Sequence, residues 1–357
     1  GGGARRPAPA MVPIYRALSA AAQLALAPRA NGTSSGKKAV AKVKRFSPAQ
    51  FARLPLNLPD EAVLPTPESQ NLNRYQDILP LPHTRVRLQR QGQDPLTEYI
   101  NANHIRGAQG SGRAYIATQG PTARTVAHFW RMVWEQGSTC IVMLTGLSEN
   151  GRPKCERYWP VEVGDEAAVR YGGVSVMAES IHEVGPYVHS VLRVHMAGAA
   201  AAKETERIVH HFWYNTWPDH GVPRDTSGVL ELLQDVCRHS HGDETQPWVV
   251  HCSAGIGRTG TFIAIDMGVF QMTTVGSADV LSLVRAMRED RGGMVQTPPQ
   301  AEFVYRALLE TDLERMAPSS HRQAWQDDQQ PPAPANTTGT AEGRGGSGRH
   351  AVTGSNP

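Results

Sequence analysis

Between Trp248 and Thr261 the chain runs from an apolar strand (Trp248–His251) into Cys252, through a turn with glycines at 255, 257 and 260, past Arg258 and into an apolar helix start at Phe262–Ile265. No other stretch constrains the fold as tightly, because strand, turn and helix must follow one another with no linker between them. Glycine lacks the Cβ that would block a tight curl, so the N–H groups of the turn can face one anion together. The helix that follows aims its N-terminal dipole into the same space. Cys252, at the mouth of this cradle, would lose its proton easily, because the N–H groups and Arg258 stabilise a thiolate. The planar fork of Arg258 can hold two oxygens of one phosphate. A nucleophile, an oxyanion cradle and a bidentate clamp within seven residues imply a site for phosphoryl transfer.

Two other readings of the stretch are weaker. Gly255, Gly257 and Gly260 also satisfy the GxGxxG spacing of a dinucleotide fold. That reading needs an acid ending a second strand about 20 residues further on. Residues 275–290 instead place Val280, Leu283, Val284 and Met287 at helical spacing. A merely structural, buried Cys252 is the other alternative, but an Arg and three glycines are poor core material.

The chain has 357 residues, with 36 Lys and Arg against 33 Asp and Glu. Residues 1–59 carry ten basic residues and no acidic one, which leaves 26 basic against 33 acidic over residues 60–357. A mildly acidic body with a basic arm lacks the basic face that nucleic-acid binding requires, and the arm reads as a solvated or docking segment. Four cysteines (Cys140, Cys155, Cys237, Cys252) form no CxxC pair and no His/Cys cluster at zinc spacing. Neither a disulfide framework nor a metal site is therefore expected, and a reducing compartment is favoured. No apolar run of about 18 residues occurs, so no membrane span is expected. The sequence opens on Gly rather than Met, as a piece of a longer chain would.

Residues 1–45 and 318–357 are rich in small residues and Pro and lack periodicity, so both are expected to be disordered. Residues 46–317 alternate strand candidates (Tyr115–Thr118, Cys140–Leu144, Val174–Met177, Val191–Val194, Ile208–Trp213, Trp248–His251) with helix candidates (Thr125–Gln136, Gly228–His239, Gly260–Met272, Ser277–Glu289, Pro299–Met316). That mixture implies an α/β (α+β) single domain built around a sheet.

The segment His251–Gly260 resembles the signature loop of the protein tyrosine phosphatases. So do Asn73–Tyr75, Tyr99–Ala102, Ala117–Pro121, Phe129–Trp130, Lys154–Cys155 with Tyr158–Pro160, Trp217–Asp219, and Gln296–Thr297 with Gln300. They stand in the family's order and at its spacings over residues 46–315. The resemblance implies a central, highly twisted mixed β-sheet flanked by helices, with the signature loop between a strand and a helix. It also implies a phosphotyrosine-specific hydrolase of proteins that needs no cofactor and no metal.

Each matched residue then carries an implied role. The Cys252 thiolate attacks phosphorus and forms a phosphocysteine, splitting one hydrolysis into two easier steps. Arg258 and the backbone N–H groups from Ser253, Ala254, Gly255, Ile256 and Gly257 to Arg258 balance charge on the equatorial oxygens. Thr259 supplies a hydroxyl that helps the thiolate leave. Asp219 protonates the departing tyrosine oxygen and then acts as base towards water, which Gln296 positions with help from Gln300. Glu149 fixes Arg258, and Lys154 stands near the Asp219 loop. Tyr75 packs on the substrate ring, and Asp77 binds backbone N–H groups of the substrate peptide. A pocket of that depth suits phosphotyrosine, whereas phosphoserine would not reach its floor. Gly292 and Gly293 imply a wide pocket mouth, and Leu72 departs from the basic residue common at its place.

Asp94–Leu96, Asn103, Ile105–Gly107 and Arg291–Met294 look like the subgroup that docks MAP kinases, for which Lys37–Val43 is the nearest docking segment. Asp219–Pro223 is more typical of other subgroups. A catalytically weak phosphotyrosine-binding module on the same fold is the alternative; it predicts loss of Asp219, Cys252, Arg258 or Gln296, and all four are present. A phosphoinositide or dual-specificity site would carry extra lysines in the signature loop or lack the Tyr75 loop, and neither departure occurs. The implied location is the cytoplasm, or the cytoplasmic face of a membrane.

Overall fold

The computed structural model describes residues 42–60, 66–108, 114–196, 206–218, 221–240 and 245–311. Nine strands among them form one mixed sheet. In chain order they are β1 (Arg85–Arg87), β2 (Tyr99–Ile105), β3 (Tyr115–Thr118), β4 (Cys140–Met143), β5 (Val169–Tyr171), β6 (Val174–Val184), β7 (Tyr187–Met196), β8 (Glu206–Trp213) and β9 (Trp248–His251). Their order across the sheet is β1-β2-β3-β9-β4-β8-β7-β6-β5. The central four, β3, β9, β4 and β8, run parallel to one another, and the strands on either side pair antiparallel.

The composition of the centre follows from this topology. Parallel strands are covered on both faces, so they must be apolar throughout. Every residue of β4 and of β9 is buried. The long β6–β7 hairpin instead alternates buried and half-buried positions along much of its length, as a sheet with one wet face should. Its turn uses Gly185 at φ +54°, a conformation that favours glycine.

Helices α1 (Val126–Glu135), α2 (Ser227–His239), α3 (Gly257–Val275), α4 (Val280–Asp290) and α5 (Pro298–Glu310) complete the layers. Alternation along β9 divides the core, because successive side chains of a strand point to opposite faces. Val250 packs with Leu232, Phe262, Ile263 and Phe303 from α2, α3 and α5, whereas Val249 packs with Phe129, Trp130 and Tyr158 on the α1 side. Trp130 is fully buried and its indole N–H donates to the Tyr158 carbonyl at 2.7 Å. Helix α3 is buried almost all round, and its first turn is the end of the glycine-rich loop.

The expected elements are present, with shifted ends. Helix α3 begins at Gly257, inside the turn rather than after it. Ser277–Ala278 is not helical: it pairs in parallel with Lys42–Val43, and α4 starts after Asp279, whose carboxylate caps Leu281 and Ser282 N–H. The basic arm expected to be disordered thus includes a two-residue ladder; its residues 1–41 lie outside the described residues, as do 312–357, which take in the expected end of the last helix at Met316 and the whole tail from 318. Strands β1, β2 and β5 were not among the expected ones, and β6 and β7 are much longer than the apolar cores that signalled them. The four cysteines are all free. No helix among the described residues is long and apolar enough to cross a membrane.

Trp130→Ala should cost about 3–5 kcal/mol of unfolding free energy in a urea titration, since it empties a large fully buried site and strips the Tyr158 carbonyl of its donor.

Candidate active site

Strand β9 delivers Cys252 to the top of the parallel centre, and the loop Cys252–Ile256 leads directly into α3. Gly255 sits at φ +72°, and a Cβ there would drive into the Thr118 carbonyl of β3. Only glycine can occupy that point. Its N–H donates to the Cys252 sulfur at 3.3 Å. A Cβ on Gly260 would likewise collide with the Val295 N–H, so α3 and the segment before α5 touch through glycine.

The loop is held from outside by a fully buried guanidinium. Arg291 donates from Nε to the Gly255 carbonyl (2.9 Å) and from Nη2 to the Ala254 carbonyl (3.1 Å). Its other N–H groups reach the side-chain oxygens of Asn103 and Asn101, each at 2.8 Å. Tying the Ala254 carbonyl to one side leaves the N–H of the same peptide, that of Gly255, facing the sulfur. Burial pushes Arg291 down to about 10, while the nearby Cys252 and Tyr99 act to raise it.

The Cys252 thiol is itself lowered from its ordinary value. Burial is the largest influence and acts upward. Thr259, the Arg258 charge and the N–H groups of Thr259 and Gly255 together outweigh it. The Thr259 hydroxyl is buried without a well-formed hydrogen bond, held beside the sulfur. Behind the loop, His251 Nδ1 donates to the Cys252 carbonyl at 3.0 Å, and its Nε2 lies 2.7 Å from the Tyr158 hydroxyl, which also meets His211 Nε2 at 2.8 Å. Burial pushes His251 down to about 4 and His211 well below its ordinary value. Both rings are neutral near pH 7.

Arg258 makes a bidentate pair with Glu149, Nη1 to Oε1 at 2.6 Å and Nη2 to Oε2 at 2.9 Å. Glu149 is fixed in turn by the Thr145 hydroxyl (2.9 Å) and the Gly146 N–H (3.2 Å). It is further flanked by Lys154 Nζ at 3.9 Å. Arg258 Nη2 also donates to the Pro218 carbonyl at 3.1 Å. Trp217 is buried against Tyr214 and Phe303. The chain entering the Asp219 segment is therefore anchored at both the arginine and the core. Asp219 and His220 themselves lie outside the described residues.

Tyr75 meets the loop through its hydroxyl, 2.9 Å from Ser253 Oγ, which donates onward to the Lys154 carbonyl at 3.0 Å. The turn carrying Tyr75 is clamped by Arg74, whose guanidinium donates to the carbonyls of Gly120 (2.9 Å) and Pro121 (2.7 Å). Asp77 is exposed two residues further on. On the opposite side, a Cβ on Gly257 would lie 2.9 Å from Gln300 Nε2 and 3.2 Å from Gln296 Oε1, so both amides lean against the loop. Gln300 closes a capping box with Thr297 at the start of α5 and accepts the Gln296 N–H at 2.8 Å. Val295 immediately before holds φ +53°, a conformation that strains a β-branched residue by about 1–3 kcal/mol. Strain of that kind clusters where geometry is prescribed by function.

The residues quoted for the site, Asp219 and Asp77 apart, thus gather around one loop. Arg291, Arg74, His251 and Tyr158 were not singled out from the sequence as site residues. One signal was available: Asn101 and Asn103 are two apart on a strand, hence on one face, and a pair of buried amides needs a shared partner.

A depressed thiol at the N-terminus of a helix, facing a paired guanidinium, defines a cysteine-based site for phosphoryl transfer. The profile of the protein-tyrosine phosphatase family matches residues 69–310. Receptor-type tyrosine-protein phosphatase R of Rattus norvegicus is 43% identical over 264 residues, covering 73% of this chain and 38% of its own. Tyrosine-protein phosphatase non-receptor type 5 of Mus musculus is 40% identical over 263 residues, covering 73% and 46%. Non-receptor type 7 of Mus musculus is 40% identical over 259 residues, covering 72% and 69%. The chain belongs to the protein-tyrosine phosphatase family. It spans less than half the length of the first two relatives.

The lowered Cys252 thiol gives a pH test. Only the thiolate reacts with iodoacetamide, so alkylation should titrate with a midpoint below the ordinary thiol value of 9.0. Thr259→Val removes a group that lowers it, and the midpoint should move upward; an unchanged midpoint would deny Thr259 that effect.

Proposed function

We propose that this domain hydrolyses phosphotyrosine in proteins through a phosphocysteine intermediate. The observation that carries the proposal is the Cys252 sulfur, held by the Gly255 N–H at the start of α3 and flanked by Thr259 and Arg258. The thiolate attacks phosphorus, a P–S bond forms, and the bond from phosphorus to the tyrosine oxygen breaks. That oxygen takes its proton from Asp219. In the second step water attacks phosphorus, passes its proton to the Asp219 carboxylate, and the P–S bond breaks to return the thiolate. Arg258 and the N–H groups of Ser253 to Arg258 balance charge on the transferring group, and Gln296 with Gln300 holds the water. The Tyr75–Ser253 hydrogen bond supports a pocket with an aromatic wall, deep enough to require phosphotyrosine. Asp77, exposed two residues after Tyr75, suits a substrate backbone.

The catalytic domain in this reading runs over residues 46–317, between a basic arm at 1–45 and a tail at 318–357. A location in the cytoplasm, or at its membrane face, fits a mechanism that needs a reduced thiol. Lys37, Lys38 and Lys42 interleaved with Val40 and Val43 give the arm a basic-and-apolar pattern that suits docking to a MAP kinase. Lys37→Glu with Lys38→Glu should then abolish co-precipitation of a MAP kinase while leaving hydrolysis of a small aryl phosphate unchanged; retained co-precipitation would remove this partner.

For the activity itself, the wild-type protein should turn over p-nitrophenyl phosphate and a phosphotyrosine peptide, but not the phosphothreonine peptide. Cys252→Ser should abolish turnover, and Asp219→Ala should slow it by about 10²–10⁴-fold while retaining phosphotyrosine proteins from a lysate. Binding without turnover by the wild-type protein would instead identify a phosphotyrosine-binding module, and turnover of inositol phospholipids would redirect the substrate class.

A further inference from the structure

Sequence spacing shows no metal cluster, but the sheet register creates one away from Cys252. His189 on β7 and His210 on β8 lie on one face, diagonally across the ladder in which His189 pairs with Phe212 and Val191 with His210. His189 Nε2 and His210 Nδ1 are 3.0 Å apart. Helix α2 crosses this face and its last residue, His239, closes the group, its ring centroid 4.6 Å from that of His189 and 5.0 Å from that of His210. One ring nitrogen from each of the three falls within 4.8 Å of the others.

The surroundings suit a cation held by neutral imidazoles. His189 is buried and stacks on Phe212 with centroids 4.3 Å apart and planes at 8°, which locks its ring. His239 Nδ1 donates to the Asp235 carbonyl at 2.9 Å, leaving the lone pair on Nε2; such outer bonds orient metal-binding imidazoles. The Asp235 side chain lies beneath, accepting from the Tyr187 hydroxyl at 3.0 Å and from Arg238 at 3.4 Å. Burial, with the neighbouring histidines adding to it, pushes His189 down to about 4, and burial lowers His210 as well.

We propose that His189, His210 and His239 form a binding site for a borderline divalent transition cation such as Zn²⁺. Tetrahedral coordination at Zn–N bonds of about 2.0–2.1 Å needs ring nitrogens roughly 3.3 Å apart. The His189–His210 pair stands close to that already, and the exposed His239 has rotamer freedom to close the rest. The proton shared between His189 and His210 moves to the outer nitrogen of its own ring, so both lone pairs turn to the metal and no net proton is lost. Water fills the fourth position, and the metal ties the end of α2 to the two strands beneath it.

The test uses the untagged full chain carrying Cys252→Ser, which removes the reactive thiolate as a competing ligand. Titration with Zn²⁺ should show one equivalent bound with micromolar or tighter affinity, and a thermal midpoint that climbs with free Zn²⁺. His239→Gln, at an exposed helix end, and His210→Gln should each weaken binding at least about tenfold. His195→Gln, exposed further along β7, should leave it unchanged. Absence of stoichiometric binding, or equal affinity in folded His239→Gln protein, would overturn the site.

Discussion

The loop around Cys252 depends on a buried positive charge placed behind it. Among the described residues Arg291 meets no carboxylate; two main-chain carbonyls and two asparagine oxygens accept its hydrogen bonds. A guanidinium in that setting is held by geometry alone, and a compact lysine could not reproduce the fork. Because a peptide plane carries its C=O and N–H on opposite sides, anchoring the Ala254 and Gly255 carbonyls turns the following amides inward. The thiolate of Cys252 acts to keep Arg291 charged, against its burial. Cation and anion thus support one another across the loop, and each makes the other less costly to bury.

A second set of constraints comes from close approach. Gly255 against Thr118, Gly120 against the Cys252 carbonyl and Gly260 against Val295 are three places where backbone meets backbone with no side chain between. They bring β3, the loop, α3 and the Gln296 segment into one solid. The cradle is thus packed directly on the sheet it stands on, while among the described residues the Asp219 side of the site is tied through Thr216, Trp217, Pro218 and Val222.

Much of this was legible in the chain because the information is local. The strand–Cys–glycine–Arg–helix order at 248–265 reports itself, since its residue types stand consecutively, although the atoms that require the glycines (Thr118, Gln300 and Val295) are distant in the chain. The apolar runs of β4 and β9 likewise announce a buried parallel centre. What escaped the sequence is long-range. Arg291 is separated from Asn101 by 190 positions, and nothing in its own surroundings distinguishes it from a surface arginine after a helix. The lengths of β6 and β7 escaped because their outer halves are half-exposed and carry no apolar alternation. Asp279 was read as helix interior, although an Asp after a turn is a natural N-cap. The three histidines at 189, 210 and 239 look unrelated until strand pairing sets their register.

The pair of imidazoles joined through the Tyr158 hydroxyl has a consequence for how the molecule meets changes in acidity. A scaffold whose buried basic groups titrated near neutrality would swell or shift as its surroundings acidified, and the cradle would shift with it. Here the two imidazoles behind Cys252 stay uncharged from neutral conditions down to about pH 4. The response to acid in that interval falls to other groups, among them the buried Asp266 carboxyl on α3, pushed up to about 6 by its burial, and the groups at the pocket mouth that touch solvent and substrate.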